Sequence, residues 1–461
     1  MAPSQNQTRR MLLTLVGAFL LASVALATLT AHGRADAPQR RGWWQIGNRP
    51  VAVALPQASL EPMTAVQGQR GETLAQPVQD FFEGERLFDR ETFDGNGRTC
   101  LTCHSRETGT VSPSDARTRF RRNPNDPLFV HDGSDDENGD GLGDGQHVTR
   151  MLQSATILMR IRLHDNVEVK DHPEIRVVTV RRGIPTTQNT PALDPVLMLD
   201  GRQPTLQAQA LGAITDHAQA TRAVTSREQD LIANFQKTPR FYSSLETLLF
   251  AFAGRTPELP AGRTASEKRG RTFFEDLPPD FSVTPPNFKR GACAACHSGP
   301  LLNQTNQFLP LAVPPGSRFQ TVLVSEFNEA GNPVIDFVFH NQQHDLDPAT
   351  NQDGVADGNI EVSSPDPGRA LITGRADDFF PFPPGSFDHL NAFKIPQLRG
   401  IRHTAPYFHD NSAKTLEEVV EHYRKFFLIV SDADGPGPAP PLIVLTEQDK
   451  ADIVAFMKLL N

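Results

Sequence analysis

The chain has 461 residues, of which 38% are hydrophobic and 21% are charged, and its formal net charge is −9. This length allows two or three domains, and the composition is ordinary for a globular protein once an N-terminal apolar run is set aside. The acidic balance and the lack of a basic stripe argue against nucleic-acid binding.

The N-terminus has the pattern of an export signal. Arg9 and Arg10 precede an apolar run over residues 11–29, and small residues follow this run. We therefore predict that residues 1–37 are a signal peptide, or an N-terminal membrane anchor if they are not cleaved. Residues 38–78 are rich in Pro, Gln, Gly and Ala and are predicted to form a linker or arm.

Beyond this arm, the spacing of apolar residues predicts a mostly α-helical protein with long loops and few short strands. The last predicted helix starts at Thr446, which suits an N-cap because acidic residues follow it in the first turn. The predicted helices cover 79–88, 205–214, 226–236, 241–253, 265–275, 415–428 and 446–460, and the predicted strands cover 176–180, 321–324 and 334–339.

All four cysteines lie in two copies of one motif, Cys-x-x-Cys-His. Two thiols at this spacing can bond to the two vinyl groups of one porphyrin, and the following histidine then supplies an axial imidazole to the iron. The motif therefore predicts two covalent c-type haems. The first would be held by Cys100, Cys103 and His104, and the second by Cys293, Cys296 and His297.

Other uses of these cysteines fit less well. A disulfide framework is typical of short, cysteine-rich secreted chains. A zinc site needs no histidine after each cysteine pair, and a thioredoxin-like redox site needs only one pair. Covalent haem also agrees with the export signal, because c-type haem is generally attached after export in bacteria. We therefore expect a periplasmic or other extracytoplasmic location.

Each motif follows a similar segment, which is a short helix with a glycine and paired apolar residues, and then a loop. The glycines of these helices are Gly84 and Gly270. This loose repeat predicts two cytochrome c-type haem domains. A segment rich in Pro, Gly and Thr suggests the boundary between them, so the domains would cover 79–262 and 263–461.

Two acidic loops carry oxygen-bearing side chains at alternate positions and a glycine, as calcium loops do. Neither loop has the full EF-hand pattern, and surface turns rich in Asp, Asn and Gly would have the same composition. Both remain candidate Ca²⁺ loops. The first holds Asp136, Asn138, Asp140 and Asp144, and the second holds Asn351, Asp353 and Asp357.

Four further segments resemble the bacterial diheme cytochrome c peroxidase superfamily, which also includes the diheme enzyme that matures the methylamine dehydrogenase cofactor and a diheme rubber oxygenase. They read RRGIPTTQNTPAL, LDGRQPTLQAQALGAI, SPDPGRALITG and FKIPQLRGIRHTAPYFHDNSAKTLEEVVEHY. With the haem motifs, the resemblance covers about 79–461, with inserts near 106–180 and 325–362. It implies that electrons enter at the C-terminal haem and that the N-terminal haem meets the oxidant.

The resemblance also implies roles for single residues. His104 and His297 match the two proximal haem ligands. Asn189, together with the backbone carbonyls of Thr404 and Pro406, matches a calcium site between the haems.

Two more residues match positions near the C-terminal haem. His409 matches a motif position beside it. Tyr423 matches the sixth ligand of its iron, where peroxidases have Met and the cofactor-maturing enzyme has Tyr. A tyrosine buried in the core is the alternative for Tyr423.

Some residues depart from the family pattern. Leu199 stands where the family commonly has a Trp between the haems, and Ala220 stands where it has Met. Gln209 matches the pattern, but Gln219 replaces the glutamate that acts on peroxide. Since an amide does not titrate, Gln219 is expected only to position a ligand.

His217 is the candidate replacement for the missing acid–base group, because a histidine ordinarily titrates near neutral pH. It could instead ligate the N-terminal iron, or be a surface residue after a helix. Further candidates for the sixth ligand of that iron are His131, His147, His164 and His172, each of which could equally be solvated.

The leading hypothesis is an exported diheme c-type oxidoreductase that reduces hydrogen peroxide or another small oxidant. Its expected partner is a small electron-donor protein, such as a cytochrome c or a cupredoxin-like protein, and membrane contact is expected only if the N-terminal segment is uncleaved. An oxygenase or oxidase of an organic substrate is the rival among enzymes, favoured by the missing Trp and Glu. A diheme electron carrier without a substrate pocket is the rival from another class.

Overall fold

The computed structural model describes residues 75–130, 148–309, 313–342, 358–376, 388–430 and 443–461. The predicted signal, most of the predicted arm, both candidate Ca²⁺ loops, His131 and His147 lie outside these ranges. Within these ranges, no helix has the length and apolar character needed to cross a membrane.

Helices are the main regular structure of the described ranges, and strands are few and short. All seven predicted helices are present, with ends that differ by up to four residues. The helices are α1 (Ala75–Asp89), α2 (Cys100–Cys103), α3 (Pro113–Arg122), α4 (Thr149–Ser154), α5 (Thr190–Leu193), α6 (Leu206–Asp216), α7 (Ser226–Phe235), α8 (Leu245–Ala253), α9 (Ala265–Arg271), α10 (Val324–Phe327), α11 (Ala370–Thr373), α12 (Leu416–Val430) and α13 (Glu447–Met457).

Hydroxyl side chains fix where several of these helices begin. In each case the Ser or Thr before the helix accepts a hydrogen bond from a backbone N–H of the first turn, which satisfies one of the unpaired donors there. The predicted N-cap at the last helix is confirmed, since Thr446 accepts from the Asp449 N–H at 3.1 Å. Other such caps include Ser112, Thr205, Thr225, Ser244 and Thr264.

The same close helix contact occurs in both halves of the chain. A Cβ atom at Gly84 of α1 would lie 2.7 Å from the Leu231 carbonyl oxygen of α7. A Cβ atom at Gly270 of α9 would lie 1.9 Å from the Asp452 carbonyl oxygen of α13. Only glycine allows these approaches, which explains the repeated glycine. The described residues belong to one compact unit, and the boundary after residue 262 stays a prediction.

The strands come mainly from the two predicted inserts. Strands β1 (Thr156–Arg162) and β3 (Val177–Gly183) pair antiparallel, and β2 (Val167–Val169), β5 (Ile335–Gln342) and β6 (Gly358–Ser364) form a second antiparallel sheet in the order β2-β5-β6. Since β2 lies in the first insert and β5 in the second, this sheet joins the inserts. A shared apolar cluster that includes Ile161, Phe337, Phe339 and Leu371 underlies them.

The predicted strand at 321–324 is wrong. The strand found there is β4 (Phe319–Gln320), which pairs with β7 (Phe393–Lys394). The Thr321 hydroxyl accepts a hydrogen bond from the Leu323 N–H at 3.3 Å, and Leu323 has a φ of +61°. This turn ends the strand, and helix α10 starts at the next residue.

A buried arginine joins distant parts of the chain. Arg182, 1% exposed at the end of β3, forms ion pairs with Asp200 and Asp366, which are also buried. Burial by itself lowers the pKa of Arg182, but the two carboxylates raise it above its ordinary value. Burial alone would raise the pKa of Asp200, but Arg182 and Arg202 hold it below its ordinary value. Arg182 and Asp200 are therefore charged at neutral pH.

Replacing Arg182 tests how much this network stabilises the fold. Arg182→Met would leave two buried carboxylates without their shared cation, so we expect the free energy of unfolding to fall by about 3–5 kcal/mol, measured by urea denaturation of the haem-loaded protein. The contribution of the lowered Asp200 pKa should be present above about pH 4 and be lost as the pH falls further.

Lys170 provides a matched control, because it pairs with Glu361 at 2.6 Å on the exposed surface of the second sheet. Lys170→Met should leave the unfolding midpoint nearly unchanged. Equal losses in the two variants would contradict a stabilising role for the buried network.

Candidate functional site

The surroundings of the cysteines suit covalent attachment rather than redox cycling. All four cysteines are free thiols. Burial raises the pKa of Cys100, Cys293 and Cys296 to about 12, so these thiols are neutral at physiological pH. A pair that exchanges disulfides would instead have a lowered pKa.

The histidine of each motif is oriented by its Nδ1 atom. The Nδ1–H of His104 donates to the Gly109 carbonyl at 2.8 Å, and that of His297 donates to the Leu302 carbonyl at 2.9 Å. Burial lowers the pKa of both histidines, so both are neutral. This arrangement leaves the Nε2 lone pair of each ring for an iron.

The first motif lines a cavity with an open mouth. Its empty space, including the mouth, is about 1700 Å³, and Cys100, Cys103 and His104 lie on its wall. The residues present fit a haem that is bonded to both cysteines and has His104 as axial ligand. Buried apolar residues of the wall include Leu128, Met151, Met159, Ile184, Leu197 and Ile214.

The end of helix α6 brings polar groups to the same cavity. Gln209 and Asp216 are two turns apart and share one face of the helix, and His217 follows as its C-cap. All three residues line the cavity. Burial lowers the pKa of His104, and the charge of His217 lowers it further, so the two imidazoles are close enough to interact. Gln209 and His217, both predicted site residues, are therefore brought together with the first haem motif.

Gln219 is placed differently. It is not among the described residues that line the cavity. Its Oε1 accepts a hydrogen bond from the Asn96 side-chain amide at 3.2 Å, and the same amide donates to the His217 carbonyl at 2.9 Å. Gln219 therefore helps to hold the turn that carries His217, and its direct part in the chemistry stays a prediction.

Asp216 was not singled out from the sequence, although its seven-residue spacing from Gln209 could have indicated it.

A second carboxylate, Glu91, also lines the cavity. The Arg86 side chain lowers the pKa of Glu91 by hydrogen bonding, and Arg222 lies 3.3 Å from it. Glu91 is thus committed to ion pairs. Cationic residues on the wall, also not predicted, are Arg98, Arg160, Arg182, Arg202 and Lys394.

The remaining histidine candidates in the described residues lie away from this cavity. The His164 ring contacts the Asn166 side chain. His172 is exposed and lies 3.3 Å from Glu174. Neither lines the cavity.

Tyr423 lies beside the second haem motif. It projects from α12 into an apolar cluster that also contacts Cys293 and Phe408. Burial raises the pKa of Tyr423, and the thiols of Cys296 and Cys293 raise it further. The neighbouring His422 is held elsewhere, because its Nε2 donates to the Val322 carbonyl at 2.7 Å. Of these two side chains, Tyr423 is the one near the motif.

His409 is buried and lies flat against Phe393. The ring centroids are 3.7 Å apart and the planes differ by 8°. Burial lowers the pKa of His409, so its ring is neutral. Phe393 belongs to β7, whose next residue, Lys394, lines the first haem cavity.

The predicted calcium site has one fully buried member, Asn189. Its side-chain amide donates to the Ser243 hydroxyl at 2.9 Å and lies 3.2 Å from the Gln397 side-chain oxygen. Thr404 is buried and Pro406 lies near it in the chain. Calcium binding there stays a prediction. In the described ranges, no group of three or more His, Cys, Asp or Glu side chains is arranged to hold a metal ion.

Haem content tests both motifs together. Intact mass and a pyridine haemochrome assay of protein matured in an exporting host should show two covalent haems per chain. Cys100→Ser and Cys293→Ser should each remove one thioether bond, and each should weaken a different haem site. A single haem in the unaltered protein would contradict the assignment.

Tyr423→Phe tests the sixth ligand of the C-terminal iron. An anionic tyrosine oxygen favours the ferric state, so its loss should change the absorption spectrum of that haem and raise its reduction potential. Tyr407→Phe is the matched control, since Tyr407 is buried in the same cluster and its hydroxyl donates to the Ile401 carbonyl at 3.1 Å. An unchanged spectrum in Tyr423→Phe would assign Tyr423 to the core.

Comparison with known proteins finds related peroxidases. The chain is 24% identical over 248 residues to the cytochrome-c peroxidase IdrP1 of Pseudomonas sp. (strain SCT), covering 52% of this chain and 49% of that protein. It is 43% identical over 134 residues to the cytochrome c551 peroxidase of Nitrosomonas europaea, covering 29% of this chain and 24% of that protein. The chain thus spans half or less of the curated relatives it matches.

The structural comparison includes a MauG-like protein associated with microbial copper homeostasis. Its identity to this chain is 21%, its TM-score is 0.40, and the alignment covers 83% of this chain and 88% of that protein. No family model matches the chain.

Proposed function

We propose that the chain is an exported diheme c-type oxidoreductase of the bacterial diheme cytochrome c peroxidase superfamily and that it reduces peroxide, which its similarity to cytochrome c peroxidases supports. The observation that carries this proposal is the cavity that combines the first haem motif with His217, Asp216 and Gln209. A carrier of electrons would need no such group of polar side chains beside an open haem site.

Peroxide reduction needs protons as well as electrons, because hydrogen peroxide takes up two of each to give two waters. A haem bound in the cavity would supply the electrons. The chain must supply a group that takes a proton from one peroxide oxygen and gives it to the other. His217 and Asp216 lie at the end of α6 beside the cavity and are the titratable groups proposed for this transfer. The Gln209 amide would orient the peroxide by hydrogen bonding.

Electrons are proposed to enter at the C-terminal haem and to react at the N-terminal one. Two differences between the sites support this direction. The first motif faces an open cavity with acid–base groups, whereas the second lies in an apolar cluster with Tyr423 next to it. A buried iron with two protein ligands suits electron storage, and an open one suits substrate chemistry. A small periplasmic cytochrome c or cupredoxin-like protein is the proposed donor.

Oxidation of an organic substrate is the second candidate function. The large apolar wall of the cavity, with Met151 and Met159 exposed to it, favours this alternative. Leu199 also lines the cavity where the family commonly has Trp. Product analysis after incubation with oxygen and reductant separates the two candidates, because only the oxygenase would incorporate labelled oxygen into an organic product.

The acid–base assignment predicts how peroxide turnover responds to substitution. Loss of a general acid–base group typically lowers the rate by about 10²–10⁴. If His217 transfers the proton, His217→Ala should cause a loss of this size. If Asp216 transfers it, Asp216→Asn should cause the loss instead. Steady-state peroxide turnover across pH 5–9 measures both, at about half-unit steps.

Gln219→Glu is the accompanying gain-of-function variant. It should raise peroxide turnover only if this position reaches the substrate. Fast turnover in the unaltered protein, with no effect of any of the three substitutions, would show that the acid–base group lies outside the end of α6.

A further inference from the structure

The structure points to an electron path between the two haem sites that passes through the stacked rings of Phe393 and His409, and we propose it as the substitute for the missing tryptophan. This inference rests on the diheme oxidoreductase proposed above. Two haem sites that exchange electrons need closely packed groups between them, and the family's usual Trp position holds Leu199.

The stacked pair lies directly beside that position. The carbonyl of Leu199 accepts a hydrogen bond from the Lys394 N–H at 2.7 Å, and both residues line the first haem cavity. Phe393 precedes Lys394 in strand β7. Phe393 is therefore linked to Leu199, at the family's tryptophan position, through Lys394 and one backbone hydrogen bond.

The backbone of His409 is linked to the wall of the same cavity by a separate hydrogen bond. The carbonyl of His409 accepts a hydrogen bond from the Gly183 N–H at 2.7 Å, and Gly183 lines the cavity. The two rings face each other at 3.7 Å with an interplanar angle of 8°. Aromatic pairs usually prefer offset or edge-on contacts with centroids 4.5–7 Å apart, so the surrounding backbone holds this pair in an unusually close overlap.

The far side of the pair leads to the second haem motif. Phe408 adjoins His409 in the chain, and its ring lies 6.4 Å from that of Tyr423. Phe408, Tyr423 and Cys293 pack against one apolar cluster. A series of linked residues therefore runs from Lys394 on the wall of the first cavity through Phe393 and His409 to Phe408 beside the second motif, with the backbone joining His409 to Phe408.

The charges around the pair suit passage of an electron without a proton. The Arg182 guanidinium lies 5.4 Å from the centre of the Phe393 ring and is neutralised by Asp200 and Asp366. In each transfer, one electron would pass from the C-terminal haem site to the N-terminal one, and no bond would be made or broken in the pair. Peroxide is the final oxidant in the proposed function.

The test measures transfer between the haems without peroxide. In the full haem-loaded protein, a brief pulse of a one-electron reductant reduces one haem, and absorbance then follows the electron as it equilibrates with the other. Phe393→Leu and His409→Leu, which remove a ring, should each slow this step by roughly an order of magnitude or more. His409→Phe, which keeps a ring in place, should stay close to the unaltered protein.

Controls separate conduction from folding and driving force. Phe339→Leu removes a fully buried ring from the sheet cluster and should leave the transfer rate unchanged. Redox titration should give unchanged potentials for both haems in each variant. If Phe393→Leu fails to bind two haems, the transfer rates of His409→Leu and His409→Phe are compared instead. A slower rate in His409→Leu alone would support the path.

Equal transfer rates in the ring-removing variants and the unaltered protein would overturn the proposed path. Because peroxide is absent, this outcome is independent of the proposed function. A slowed transfer in a protein that does not reduce peroxide would support the path and contradict the peroxidase.

Discussion

The buried ion pairs of Arg182 with Asp200 and Asp366 hold the parts of the candidate site together. Arg182 ends strand β3 and lines the first haem cavity, while Asp366 comes from a distant segment of the chain. A buried guanidinium tolerates few positions relative to its carboxylates, because misplacing any of these charges leaves one without a partner. The cavity wall and the distant segment that carries Asp366 are therefore fixed in relation to each other.

The two haem motifs have similar local geometry but different surroundings. The Nδ1–H of each motif histidine donates to the carbonyl of the residue five positions later. In both motifs the Nε2 atom is therefore left to bind an iron. Around the first motif, helix α6 ends at the cavity and supplies His217 and Asp216. Around the second, α12 supplies Tyr423 within an apolar cluster. The proposed division of labour between the two haem sites would thus arise from which helix end or helix face meets each motif.

The sequence predicted the features that depend on local pattern. The haem motifs, the helices and the Thr446 cap follow from spacing and hydroxyl chemistry, and Gln209 and His217 were found through the family resemblance. The sequence did not predict the strand pairing between the two inserts or the contact of Phe393 with His409. These depend on residues far apart in the chain, as with β2 and β5, and periodicity carries no information about such partners. The strand expected at 321–324 failed because a side-chain hydrogen bond from Leu323 to Thr321 turns the backbone there.

The departures from the family pattern can be understood as one coupled change. An aromatic ring is absent at Leu199, but the Leu199 carbonyl bonds to the strand that presents Phe393 to His409. A carboxylate is absent at Gln219, but the Asn96 side-chain amide donates hydrogen bonds to both the Gln219 side chain and the His217 carbonyl. In both cases the replaced residue is linked, through backbone or side-chain hydrogen bonds, to a neighbour for which we propose the missing chemistry. Under these proposals the hydrogen bonds around the first haem motif are kept, and the functional groups lie at other positions of the chain.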